Sequence, residues 1–280
     1  MLEELIDALL YEGYALYPYT PGATKNATPT PFGILYPPAY AEGSPAAFDH
    51  LRMDIALAPG PAATVRAEVR FLQAGAQARE ERGIERRVEL PPTPLADLAG
   101  DGAGTEFAFD GLTGRARMRA DAVEGGLARV RVCVHNTTPL ADPGAAGRGL
   151  ALRSSLISTH VIASAPGSTF HSATEHPEWA SINTFPVLAT PEDDTVLGAT
   201  IVLPDHPQIA PESRGSLFDG TEIEEALLLH VHTLSDPERE AIAEGDPAVR
   251  AMVERAVATT PEEMLRLHGR LELRDPVEGL

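Results

Sequence analysis

The chain has 280 residues, 43% of them apolar, and its 41 acids against 22 bases give a formal charge of −19. That balance repels nucleic-acid backbones and anionic lipid, so neither is expected as a partner, and its plain reading is solubility. No apolar run nears 18 residues, the start Met1-Leu2-Glu3-Glu4 is acidic, and the lone cysteine, Cys133, leaves no internal disulfide or cysteine-built cluster. These features predict a cytoplasmic chain without membrane insertion.

In chain order, "LEELIDALLYEGYALYP" predicts a helix with Leu2, Leu5, Ile6, Leu9 and Leu10 on one face and Glu3, Glu4 and Asp7 on the other, stopping at Gly13. All six tyrosines follow within the first 40 residues (Tyr11, Tyr14, Tyr17, Tyr19, Tyr36, Tyr40), among Pro18, Pro21, Pro29, Pro31, Pro37 and Pro38. Rings and prolines together predict an ordered, irregular arm over residues 14–40, packed on the body. Lys25 in this arm is the only lysine in a chain that otherwise uses arginine. Beside the turn-forming Asn26, it is expected to anchor the arm on a carboxylate such as Glu212, Asp219 or Glu222; an amine catalyst or plain exposure are the alternatives.

Residues 51–138 alternate with period two. Val65, Ala67, Val69 and Phe71 interleave with Arg66, Glu68 and Arg70; Val130, Val132 and Val134 interleave with Arg129, Arg131 and His135. A spacing near ten residues suggests an antiparallel sandwich or barrel. The loop at 140–149 is the expected boundary, giving an N-terminal helix and arm (1–50), a β-rich lobe (51–139) and a second β-rich lobe ending in helices (150–280). Further strands are expected at 152–165, 185–203 and 224–234. Ser235 with Glu238, and Thr260 with Glu263, fit capping boxes, Pro261 suits a first helical position, and Gly269 suits a helix end. The fold class is α+β.

The common catalytic motifs are absent from the sequence: no phosphate loop, dinucleotide fingerprint, nucleophile elbow or His-Glu-x-x-His. Cys133 sits on a valine strand and reads as a structural thiol. His230 and His232 share a strand face and, with His160 or His206, could ligate a metal; polar residues on an exposed face are the alternative. The 205–225 stretch gathers Asp205, His206, Glu212, Asp219, Glu222, Glu224 and Glu225 around fixed turns, suited to acid–base work, a cation, or capping of backbone N–H groups.

Several stretches occur together and in order: "LLYEGYALYPY", Lys25-Asn26, "FGILYPPAYA", Ser158-Thr159-His160, "DHPQIAPES", "LFDGTEIEE" and "LRLHG". From about Leu9 to Gly269 this series resembles a family encoded beside high-affinity, actinobacterial-type nickel–iron hydrogenase genes. That family has no assigned activity, and the resemblance carries no catalytic residue across. It implies a helper in making or accompanying the hydrogenase, with hydrogenase subunits or assembly proteins as partners. One departure concerns the arm: Ala27-Thr28-Pro29-Thr30-Pro31 stands where the family carries Arg and an aromatic.

Three functions stay open. The first is a non-catalytic accessory or scaffold protein, with Tyr14, Tyr17 and Tyr19 as interface anchors, no cofactor, and self-association allowed. The second is a metal-dependent enzyme or metal-delivery protein using the histidines and carboxylates of 205–232. The third is a small-ligand module with a pocket beneath the arm.

Overall fold

Alternation of apolar and charged residues is realised, among the described residues, as ten antiparallel strands. The computed structural model describes residues 2–15, 32–74, 83–141, 148–209, 235–237, 240 and 247–266. The strands are β1 (His50–Ala58), β2 (Thr64–Ala74), β3 (Gly83–Pro94), β4 (Ala103–Phe109), β5 (Leu112–Ala122), β6 (Ala128–Asn136), β7 (Ile157–Ser164), β8 (Thr169–Phe170), β9 (Phe185–Leu188) and β10 (Thr195–Ala199). The helices are α1 (Leu2–Ala15), α2 (Pro38–Ala41), α3 (Arg148–Arg153), α4 (Pro247–Val257) and α5 (Pro261–Arg266). None of the described helices is long and apolar enough to cross a membrane.

The first sheet has the order β4-β5-β6-β1-β8 and the second β3-β2-β7-β10-β9. Their inner faces share one core. Leu51, Met53, Ile55 and Leu57 of β1 and Val130, Val132 and Val134 of β6 meet Val65, Val69 and Phe71 of β2 and Val161 of β7. The ring of Phe71 packs against Phe107 and Phe109 at the far side of the core, at 5.8 and 6.0 Å. Beyond the second sheet lies α1. Its Leu5, Ile6, Leu9 and Leu10 cover Leu72, Ile157, Leu197 and Ala199, so the layers run helix, second sheet, first sheet.

The structure departs from the sequence reading in three places. The helix α1 runs through Gly13 to Ala15; a glycine inside a helix costs only about 1 kcal/mol, which the buried stripe before it outweighs. Leu152 and Arg153 close α3 rather than open a strand, because one helical turn sets Ala151 and Leu152 together against Ile34 and Tyr36. The two expected lobes also share both sheets: β2 pairs with β7, and β1 pairs with β8. Each pairing satisfies a strand edge that a separate lobe would leave open.

Only the return end of the arm is described. There Ile34, Leu35 and Tyr36 are buried, and Leu35 bridges to Leu156. Residues 16–31, with Tyr17, Tyr19, Lys25 and Asn26, lie outside the described residues, as do the side chain of Tyr14 and the stretch 210–234.

At the other end of the chain, the Thr260 backbone N–H donates to Glu263 Oε2 at 2.8 Å, and the Glu263 N–H donates to Thr260 Oγ1 at 3.3 Å. This reciprocal cap starts α5. Thr260→Ala is expected to lower stability by about 1 kcal/mol in urea denaturation, with Thr260→Ser restoring most of it.

Candidate functional site

Strand parity places the charged residues of β1, β5 and β6 together on the outer face of the first sheet. Register then arranges them in rows. Arg115 stands beside His135 and His50, Arg117 beside Cys133 and Arg52, and Arg119 beside Arg131 and Asp54; Arg129 completes the set next to Asp121. Six of the chain's 21 arginines share this face, against the carboxylates Asp54, Asp121 and Glu106. A protein of charge −19 therefore carries one locally positive surface.

Asp54 organises the middle of the face. It is buried, accepts a hydrogen bond from Arg131 Nε at 2.8 Å, and forms ion pairs with Arg52 Nε at 2.9 Å and Arg129 Nε at 3.7 Å. Partial burial opposes the charge of Arg131, but the hydrogen bond and negative charge of Asp54 prevail and raise its pKa. Burial lowers the pKa of His135, helped by Arg115 and by His50 stacked 5.2 Å away. Burial likewise pushes the Cys133 thiol up, which suits the structural role read from its strand.

The loop at 171–183 frames one side. Arg52 exchanges backbone hydrogen bonds with Ile182, and its guanidinium donates to the Ala180 carbonyl at 2.8 Å. This fixes Trp179, the chain's only tryptophan, in a stack on His176 with centroids 4.6 Å apart, and Arg129 lies 5.7 Å from the indole ring. The opposite side, along β4 and β5, is open. A groove of about 380 Å³ is lined by Asp101, Gly102, Gly104, Glu106, Arg115 and Arg117, and one of about 410 Å³ continues past Phe107 and Gly114. Arg115 and Arg117 are exposed and have no hydrogen-bonding or ionic partner among the described residues.

The sequence-predicted residues lie elsewhere. His160 sits on the outer face of the second sheet, sealed beneath α1, opposite the fully buried Arg70. Two steps along β2 (Arg70 to Leu72) face three steps along β7 (His160 to Ile157), a bulge that turns His160 and Ile157 to the same side. Ser158 takes a φ of 53° within it, and the N–H groups of Ser158 and Thr159 donate to the carbonyls of Phe32 and Gly33. The Nδ1–H of His160 donates to the Ser158 carbonyl at 2.8 Å, leaving a buried Nε2 without a hydrogen-bond partner among the described residues. Burial, with Arg70 adding to it against the Ser158 bond, lowers the His160 pKa to about 4.

His206 is on the surface, with Nε2 2.7 Å from Asp193. Asp205 accepts the Leu188 N–H at 2.9 Å, the capping role weighed for this loop. His230 and His232, together with Glu212, Asp219 and Glu222, lie outside the described residues. No three His, Cys, Asp or Glu side chains come together in a metal-binding group among the described residues.

The arginine face escaped sequence reasoning. Its signal was present in Arg115-Ala116-Arg117-Met118-Arg119 and Arg129-Val130-Arg131, each alternating with buried residues. Compared with protein-family models and with curated proteins, the chain matches none.

Proposed function

We propose that this is a non-catalytic accessory protein that docks an acidic partner protein on the arginine-rich outer face of the first sheet. The observation that carries the reading is the gathering of six arginines and the only tryptophan on one face of a chain of charge −19. Arginine and tryptophan are enriched among the residues that dominate interface energies. Guanidinium groups pair bidentately with carboxylates, and Asp54 holds three of them in position. The overall negative charge disfavours long polyanions at a distance, while the face attracts a local carboxylate cluster. The family resemblance makes subunits or assembly proteins of a nickel–iron hydrogenase the partners to test first.

Capture of partners by the tagged protein from cells expressing such a hydrogenase is the test. The double variant R115E/R117E is expected to lose at least about tenfold in recovery, with its melting temperature unchanged because both side chains are exposed. Arg66→Glu, exposed on the other sheet, serves as the control and keeps full recovery. Binding should weaken with added salt, and the fluorescence of Trp179 should report it. Equal recovery by R115E/R117E and the parent would overturn the proposal.

A further inference from the structure

Four strands edge the two sheets, and three carry protection against further pairing. The edge strand β3 contains Pro91, Pro92 and Pro94; β9 is four residues long with Pro186; β8 is two residues long. The fourth, β4, reads Ala-Gly-Thr-Glu-Phe-Ala-Phe, seven residues without proline or a basic side chain. Among the described residues, only β5 pairs with it.

Hairpin geometry fixes which backbone groups face out. Asp110 and Gly111, both at positive φ, make the two-residue turn between β4 and β5, with Phe109 opposite Leu112. In such a hairpin that pair is hydrogen-bonded and the ladder alternates, so Phe107 and Thr105 also point at β5. Thr113, opposite Ala108, gives its N–H to Thr138 and its carbonyl to Thr137 and Thr138, as the alternation requires. Gly104, Glu106 and Ala108 therefore turn their N–H and C=O groups to the open edge.

The side chains converge on the same edge. A Cβ on Gly104 would lie 2.8 Å from Arg117 Cγ, and one on Gly102 would lie 2.7 Å from Arg119 Cγ. The stem of Arg117 thus leans over Gly104 of β4, and that of Arg119 over Gly102 just before the strand.

We propose that β4 receives an extended acidic segment of the partner protein as a sixth strand of the first sheet. This rests on the protein-docking reading above and names its mode. The incoming residue opposite Gly104 lies on the arginine side, about 10 Å from the Arg117 backbone, a gap that a glutamate and an arginine together span. Its neighbours on the inner side lie beside Thr105 and Phe107 and are apolar. The pattern recognised is alternating acidic and apolar residues, joined by main-chain hydrogen bonds. A second copy fits less well: antiparallel pairing of β4 with itself about its centre sets Glu106 opposite Glu106, and like charges in that position repel.

The probe is the peptide acetyl-(Val-Glu)4-amide, with (Val-Lys)4 and oligo(dT) as comparisons, read by amide hydrogen exchange of the full chain. On adding (Val-Glu)4, the amides of Gly104, Glu106 and Ala108 are expected to slow by at least about tenfold, while those of Thr105 and Phe107, already bonded to β5, change little. Ala108→Pro, which removes one outward N–H and spares the β5 ladder, should weaken peptide binding and partner capture by about tenfold. Unchanged exchange at the three amides overturns the inference. So does equal protection by (Val-Lys)4 or oligo(dT), or protection that depends on protein concentration alone. If Ala108→Pro keeps partner capture while R115E/R117E loses it, strand addition falls and the docking face stands. If both variants keep it, both fall.

Discussion

Removing three of the four carboxylates around Arg70, in the triple variant Glu3→Gln/Asp7→Asn/Glu85→Gln that keeps only Glu68 at 3.9 Å, is expected to destabilise the protein by about 3–5 kcal/mol. Arg70 is 0% exposed on the outer face of the second sheet. Its Nε and Nη2 donate to Glu85 at 3.0 and 2.7 Å, its Nη1 donates to Glu3 at 3.0 Å, and it also pairs with Asp7. The triple variant leaves a buried cation beneath α1 with little to offset its desolvation. Arg70→Met should cost less, about 1–2 kcal/mol. It removes the buried charge, and the carboxylates left behind are 68% (Glu3), 57% (Asp7) and 29% (Glu85) exposed, within reach of water. Urea unfolding of the two variants beside the parent checks the order. An Arg70→Met as costly as the triple variant would show packing of the arginine stem, not its charge, to be the main contribution.

The second large effect is acid sensitivity from His160. In the folded chain burial lowers its pKa to about 4 from the ordinary imidazole value of 6.5. Below pH 6.5 the unfolded chain binds a proton that the folded chain refuses, so stability rises with pH across this window. The contribution is complete above pH 6.5 and is lost as pH falls towards 4. At about 1.4 kcal/mol per pH unit, it reaches about 3 kcal/mol. Arg70 faces the imidazole from β2, and the carboxylates bound to Arg70 lie on α1 and β3. Read as a difference between the parent and His160→Leu, the measurement separates the imidazole from those carboxylates, which both proteins share. Chemical unfolding at pH 7.5, 6 and 5 should show a stability decline in the parent that His160→Leu largely removes. Parallel declines in both proteins would place the acid sensitivity elsewhere.

Much of the body was legible because each element carries its own period. The buried residues of α1 are Leu5, Ile6, Leu9 and Leu10, as helical spacing indicates, and the valines of β6 point inward at every second position. The Thr260–Glu263 cap was equally readable, since both partners lie within one turn. His160 was singled out for different reasons, as a candidate third metal ligand beside His230 and His232 and as part of Ser158-Thr159-His160. Its burial depends on a bulge that becomes visible only when β7 is aligned with β2. Glu3 and Asp7 are exposed on the polar face of α1, as helical spacing indicates, but spacing gave no sign that both also reach the guanidinium of a residue more than sixty positions away.

What the sequence by itself determined is local: helix or strand, the inward and outward residue of each strand, the caps and turns, and a net charge of −19. Those properties depend on neighbours within one turn or one pleat. Tertiary structure alone decided which strands pair, and so which charges share a face. The arginines of β5, β6 and β1 form one surface because β6 lies between the other two in the sheet. Among the described residues the same order leaves β4 as an open edge, and the pairing of β2 with β7 buries Arg70 beside His160. Strand order is set by which apolar faces can close on one another across the whole chain, and no local pattern contains that choice.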